Sequence, residues 1–241
     1  MACQRGIVGR RHTPILPEEI RMRYSLFGAL VAAAVATTLV GAQDDRPASP
    51  EGSAAAEVGG KFVPGPLGPV YRGGKWIEIL YGRPIKRGRD VLGGSGSNYG
   101  KIAIAGGAGY PEPPVWRAGA NQSTRLKTEV PLVINNKVIA PGEYTMFIDL
   151  KPGAWTLIVS SWPAQSHHDP SNRQAIWGAF GYTPDKDVVR APMTLTTLPF
   201  SMEELTWAFT DMIDSGGKIA LMWDKDLATV PFKVEQGSRL P

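Results

Sequence analysis

The sequence predicts an all-β fold: a single antiparallel β-sandwich, jelly-roll-like, preceded by a signal peptide and a flexible linker. Three observations carry this. After Tyr71, apolar and polar residues alternate with a period of two through most of the chain. Gly and Pro, 28 and 21 of 241 residues, cut that alternation into short segments, as strands joined by turns require. No heptad and no amphipathic helical stretch competes with them. Short strands at regular spacing with one continuous set of apolar faces close most simply as two packed antiparallel sheets.

The N-terminus reads as an address. Arg21 and Arg23 precede an apolar run from Ser25 to Val40, and the small residues Gly41 and Ala42 follow it. This is the tripartite pattern of a signal peptide over residues 1–42, with cleavage expected after Ala42. The apolar core is too short for a comfortable membrane span, so no stable span is expected once the signal is removed. A retained anchor is the alternative. Met22 is a plausible true start, because it would give a compact signal. Either way the chain is expected to be periplasmic or secreted.

The formal charge of +4 has little to do with the folded part. Residues 1–42 carry five Arg and two Glu, which is +3, and leave 4 − 3 = +1 for the rest. No clustered basic face remains, so no nucleic-acid partner is expected. The only cysteine, Cys3, precedes the apolar run, which rules out a disulfide framework, a thiolate metal site or a cysteine nucleophile in the folded part. No cofactor is expected.

Residues 43–70, rich in Ala, Pro and Gly, are expected to be a flexible linker. The sandwich is expected over residues 71–236, and 237–241 as a tail. Ile77, Ile79 and Tyr81 share one strand face, and Gly82-Arg83-Pro84 ends the strand because Pro cannot donate to a ladder. The stretch from Gly93 to Pro114 is a long Gly/Pro/Ser-rich loop. It fits neither a phosphate loop, since Ile102 follows Gly100-Lys101, nor the G-x-S-x-G elbow.

Further on, Leu132-Val133-Ile134 and Lys137-Val138-Ile139 flank Asn135-Asn136, a hairpin with both asparagines at left-handed turn positions. Strands centred on Tyr144 to Leu150 and Trp155 to Val159 follow. Ser161 to Asp187 is irregular. Four more alternating runs complete the chain. They begin at Met193, at Leu205, at Ile219 and, beyond Asp224-Lys225-Asp226, at Val230.

Certain spacings go beyond periodicity. Tyr81-Gly82-Arg83-Pro84 and Gly88-Arg89 lead to Trp116-Arg117-Ala118-Gly119-Ala120-Asn121 and Thr124. Pro141-Gly142-Glu143-Tyr144-Thr145-Met146-Phe147, Trp155, Trp177-Gly178, Asp187-Val188-Val189-Arg190, Trp223 and Val230-Pro231-Phe232 complete the series. In this the chain resembles a family of bacterial secreted domains, domain of unknown function 2911, over roughly Gly74 to Val234. The sequence departs from that pattern at Gln122, where the family usually has Glu, and in the length of the Gly93–Pro114 loop. The resemblance implies a domain type and no activity.

The polar residues of those motifs form the candidate ligand site: Arg83, Arg89, Trp116, Arg117, Asn121 and Thr124. Gathered in space, their guanidinium forks, amide and hydroxyl suit an anionic or saccharide ligand. Alternatively they satisfy backbone carbonyls and nearby carboxylates. No catalytic residue is expected. His167 and His168 are weak metal candidates, because neighbouring strand residues point to opposite faces. Three readings therefore stand. The leading one is a non-catalytic binding module for a small anionic or saccharide ligand or an envelope protein. The second is an envelope saccharide or peptide hydrolase using His167 or His168. The third is a purely structural envelope module.

Overall fold

The computed structural model describes residues 47–92 and 115–235. The expected signal peptide (1–42), the Gly93–Pro114 loop and the 237–241 tail lie outside the described residues. Among the described residues there is no α-helix, and all sheet pairing between strands is antiparallel.

Twelve strands build the molecule. They are β1 (Glu51–Val58), β2 (Lys61–Val63), β3 (Val70–Arg72), β4 (Lys75–Gly82), β5 (Thr124–Thr128), β6 (Leu132–Ile134), β7 (Lys137–Ile139), β8 (Gly142–Asp149), β9 (Thr156–Ser160), β10 (Asp187–Pro192), β11 (Thr194–Ile213) and β12 (Gly216–Val234). Six form one sheet in the order β1-β4-β5-β8-β9-β10, and four form the second in the order β11-β12-β6-β7. β2 and β3 make a separate small hairpin. β4-β5, β8-β9-β10, β6-β7 and β11-β12 are neighbours in chain order, whereas β1 pairs with β4 around the β2-β3 hairpin and β5 with β8 around β6-β7, which belongs to the second sheet.

The two sheets bury one core. Ile77, Ile79 and Tyr81 of β4, Leu126 of β5, Met146 and Ile148 of β8, and Leu157 and Val159 of β9 meet Leu132, Ile134, Trp207, Leu221, Trp223 and Phe232 of the second sheet. Each fully buried aliphatic side chain among them contributes about 1.5–3 kcal/mol. The strand alternation expected for Ile77, Ile79 and Tyr81 is present, with Trp76 on the opposite, exposed face. Asn135 and Asn136 hold the left-handed turn (φ 47° and 60°) between β6 and β7.

The expected linker is partly a strand. β1 pairs with β4 over eight residues, from Glu51 opposite Gly82 to Val58 opposite Lys75. Ala54, Ala56 and Val58 turn inward onto the core and Ser53, Ala55 and Glu57 outward. Alanine is nearly neutral in a hydropathy pattern, so the alternation was hidden by composition. Residues 61–72 likewise form β2 and β3 rather than a linker.

The expected break at Asp224-Lys225-Asp226 lies within the continuous strand β12, with Asp224 in the left-handed region (φ 52°). Its partner β11 bulges there: the register steps from Thr197 opposite Asp226 to Met202 opposite Asp224, so Leu198 to Ser201 lie opposite Lys225 alone. Pro199 lies in that insertion, where a missing N–H does no harm.

Residues Ser161 to Lys186 are irregular but not loose. They fold across the other face of β8 and β9, where Ile176, Ala179 and Tyr182 bury Phe147, Ile158 and Val115 in a second, smaller cluster.

Candidate functional site

The motif beginning at Trp116 is a junction between chain segments. Trp116 exchanges two backbone hydrogen bonds with Ile148 of β8, at 2.8 and 2.9 Å. Its side chain is 1% exposed. The indole stacks on Trp223, with centroids 6.0 Å apart and an interplanar angle of 13°. Trp116 is therefore a core residue, and its expected place among ligand contacts is corrected: an indole at the sheet-to-sheet interface contributes area, not a recognition surface.

Beyond it the backbone makes two left-handed excursions, at Ala118 (φ 54°) and Asn121 (φ 60°). The Ala118 carbonyl accepts from Trp207 Nε1 at 2.9 Å and from Thr124 Oγ1 at 3.2 Å. Thr124 is fully buried, so its hydroxyl caps this turn and is closed to a ligand. Gly82 lies directly against the turn. A Cβ there would sit 2.0 Å from the Ala120 carbonyl oxygen, which accounts for glycine at the end of β4.

The polar side chains of the motif reach outward to three segments. Asn121 Nδ2 donates to the Ser49 carbonyl at 3.1 Å and so ties down the chain entering β1. Gln122 Nε2 donates to Glu51 Oε2 at 2.9 Å. The Ser123 hydroxyl lies 2.8 Å from the Gly178 carbonyl and 3.2 Å from that of Ile176, and so grips both sides of Trp177. Arg117 Nη1 donates to the Asn121 carbonyl at 3.1 Å. The guanidinium also packs on Gly178, where a Cβ would meet Nη1 at 2.8 Å and where φ is +62°.

The other two arginines lie on the segment after β4, which docks on the start of the inner part of β11. Ile85 bridges Glu204, and Leu205 N donates to the Pro84 carbonyl at 3.0 Å. Arg83 Nη2 pairs with Glu204 Oε2 at 2.5 Å. Its Nε is buried without a partner among the described residues. Arg89 donates to the carbonyls of Ile85 (2.6 Å) and Lys86 (2.9 Å), capping its own turn. No sequence signal points to Glu204 as partner, because Glu203-Glu204 reads as a solvated strand start.

Of the six expected site residues, four thus use their described polar contacts on the fold itself and Trp116 is core. Arg117 differs. Burial lowers its pKa from the ordinary guanidinium value, and no carboxylate faces it among the described residues. One carbonyl is its sole hydrogen-bond partner there.

A family model for a protein of unknown function (DUF2911) matches residues 70–232. The chain belongs to this family. No curated protein and no solved structure matches it.

A second polar network of the DUF2911 domain sits at the β10 edge. Tyr182 Oη donates to Asp187 Oδ2 at 2.8 Å, and Arg190 Nη1 donates to the same oxygen at 2.8 Å and to Tyr182 Oη at 3.2 Å. Arg190 Nη2 also reaches Asp149 Oδ2 at 3.2 Å. Burial, then the Asp187 carboxylate, pushes the Tyr182 phenol above its ordinary pKa, so it remains a donor at all ordinary pH. The Asp187-Val-Val-Arg190 spacing signals this pair; Tyr182 has no sequence signal.

His167 and His168 are exposed. Ser166 Oγ lies 3.2 Å from His167 Nδ1, also at the surface. His168 is tilted against Trp177, with ring centroids 6.0 Å apart. Among the described residues no three His, Cys, Asp or Glu side chains come together as a metal site. His168, Arg173, Trp177 and Phe180 border an open cleft of about 200 Å³ that none of the six expected residues lines.

Proposed function

We propose that this DUF2911 domain is an exported, non-catalytic binding module that takes up an anionic group at Arg117. The observation behind this is the state of that guanidinium. It is partly desolvated, it contacts one carbonyl, and no carboxylate faces it among the described residues. A desolvated cation without a counter-charge is costly, and an incoming carboxylate or phosphate would relieve that cost through paired charge-assisted hydrogen bonds.

Melting curves of the purified chain in acetate, phosphate and uronate salts test the reading. An anion at about a hundred times its dissociation constant should stabilise by about 2.7 kcal/mol. The gain should vanish in Arg117→Ala and shrink in Arg117→Lys, which keeps the charge and loses the fork. No gain in the wild type, with a much lower melting point for Arg117→Ala, would favour the structural reading. That reading draws support from Arg83, Arg89, Asn121 and Thr124, whose described contacts are all internal.

The hydrolase reading has less behind it. The Ser166–His167 contact joins adjacent exposed residues, and among the described residues no further hydrogen bond orients that imidazole. Export rests on the sequence of residues 1–42. N-terminal sequencing of the chain from an extracytoplasmic fraction should begin at Gln43; cytoplasmic recovery of a chain starting at Met1 or Met22 would contradict it.

A further inference from the structure

The segment Gln165 to Gly181 builds a cleft that Arg117 does not line, and its walls are held by many internal hydrogen bonds. Gln165 organises them: its Nε2 lies within reach of the carbonyls of Asp169 (3.1 Å), Asn172 (3.3 Å) and Ala175 (2.9 Å), and its Oε1 accepts from Asp169 N at 2.8 Å. Asn172 Oδ1 accepts from the backbone of Gln174 and Ala175. On the far side, Ser123 grips the carbonyls flanking Trp177, and Trp177 closes a tight turn onto Phe180 N at 3.1 Å. Polar atoms that hold the loop are thus turned inward.

The groups bordering the cleft have a different character. Trp177 and Phe180 are half-buried, and His168 stands beside the indole at 45°. Arg173 is exposed, borders the cleft, and has no hydrogen-bond or ion-pair partner among the described residues. Asp169 also borders it, with Oδ1 accepting from the Ser171 backbone N–H and hydroxyl. At about 200 Å³ the space is below that of sites for drug-sized ligands and suits a single ring.

We propose that this cleft binds one acidic pyranose residue, a sugar ring bearing a carboxylate. The aliphatic face of the ring packs on the Trp177 indole, the sugar carboxylate meets the Arg173 fork, and ring hydroxyls donate to Asp169. An apolar face and an anionic edge on one small ring are what an aromatic wall beside an unpaired guanidinium selects. A neutral sugar lacks the second contact and acetate the first. Preorganised walls keep the ordering cost of binding low.

Titration of the full chain with sodium D-glucuronate, followed by tryptophan fluorescence, tests the proposal. The expected result is a saturable change that methyl glucoside and acetate fail to reproduce. Arg173→Ala should weaken glucuronate binding by about tenfold or more, and Trp177→Ala should abolish it. Arg173 is exposed and without a partner among the described residues, so its variant should fold even if Trp177→Ala does not. An absence of saturable binding in the wild type, or binding unchanged in Arg173→Ala, would overturn the proposal. The Arg117 reading fails separately, because it stands or falls on the response of Arg117→Ala and this one on that of Arg173→Ala.

Discussion

Ser123 shows how much one small side chain does in this domain. Fully buried, it meets two carbonyls on either side of Trp177. Ser123→Ala would leave both with one contact fewer, and a buried carbonyl without its donor costs about 1–3 kcal/mol. Chemical denaturation should record a loss of that size, with Trp177 fluorescence showing a less rigid indole before global unfolding. A fully wild-type denaturation midpoint would argue against the clamp. Gly82→Ala addresses the other side of the junction. Its methyl would lie 2.0 Å from the Ala120 oxygen, so β4 or the turn must move. Overpacking of this kind costs about 1–3 kcal/mol and sometimes more, and the variant should melt well below the wild type. Neither role was legible in the sequence. Trp116, Arg117, Asn121 and Thr124 stood out as a motif, but a motif of polar residues looks the same whether it faces a ligand or a carbonyl. The decision lies in partners far along the chain: Ser49, Gly178, Trp207 and Glu204.

Elements were easier to read where side chains were large. The β4 alternation and the Asn135-Asn136 hairpin follow from Ile, Tyr and a left-handed Asn pair. β1 was lost because Ala fills its inward positions, and the β11–β12 pair was broken too early because an Asp-Lys-Asp triplet looks like a turn. That triplet allows a prediction. Partial burial, and then the neighbouring Asp224 charge, raise the pKa of Asp226. A carboxyl whose folded pKa is raised opposes folding once it is ionised. The penalty is full above the folded pKa and disappears as pH falls below the unfolded value near 4. Asp226→Asn should therefore raise the melting temperature at pH 7 and bring little or no gain near pH 3. A variant equally stabilised at both pH values would show that ionisation is not the cause. Two residues away on the same strand, burial opposes ionisation of Asp224, yet its contacts with Lys86 and Ser201 prevail and lower its pKa, so the pKa values of the two aspartates shift in opposite directions.

At the scale of the molecule, two sheets share one core, and an irregular segment seals the far face of β8 and β9. The sandwich class was legible because period two and turn spacing determine layers before they determine connections. Which strands are neighbours was not, since β6 and β7 leave the first sheet in mid-meander. β1 is part of that sandwich. Amide hydrogen exchange over Gly52 to Val58 should be slow in alternate residues bonded to β4; exchange at the rate of an open chain would restore the linker. We propose that Arg117 is the motif cation held for an anion, whereas Arg83 and Arg89 are committed to the fold. The most direct measurement is the NMR signal of the Arg117 Nε–Hε group during titration with acetate, phosphate and glucuronate. The account predicts that one of these anions moves that signal saturably and leaves those of Arg83 and Arg89 in place. A resonance that stays fixed through every titration, or one that moves together with all arginines, would contradict it.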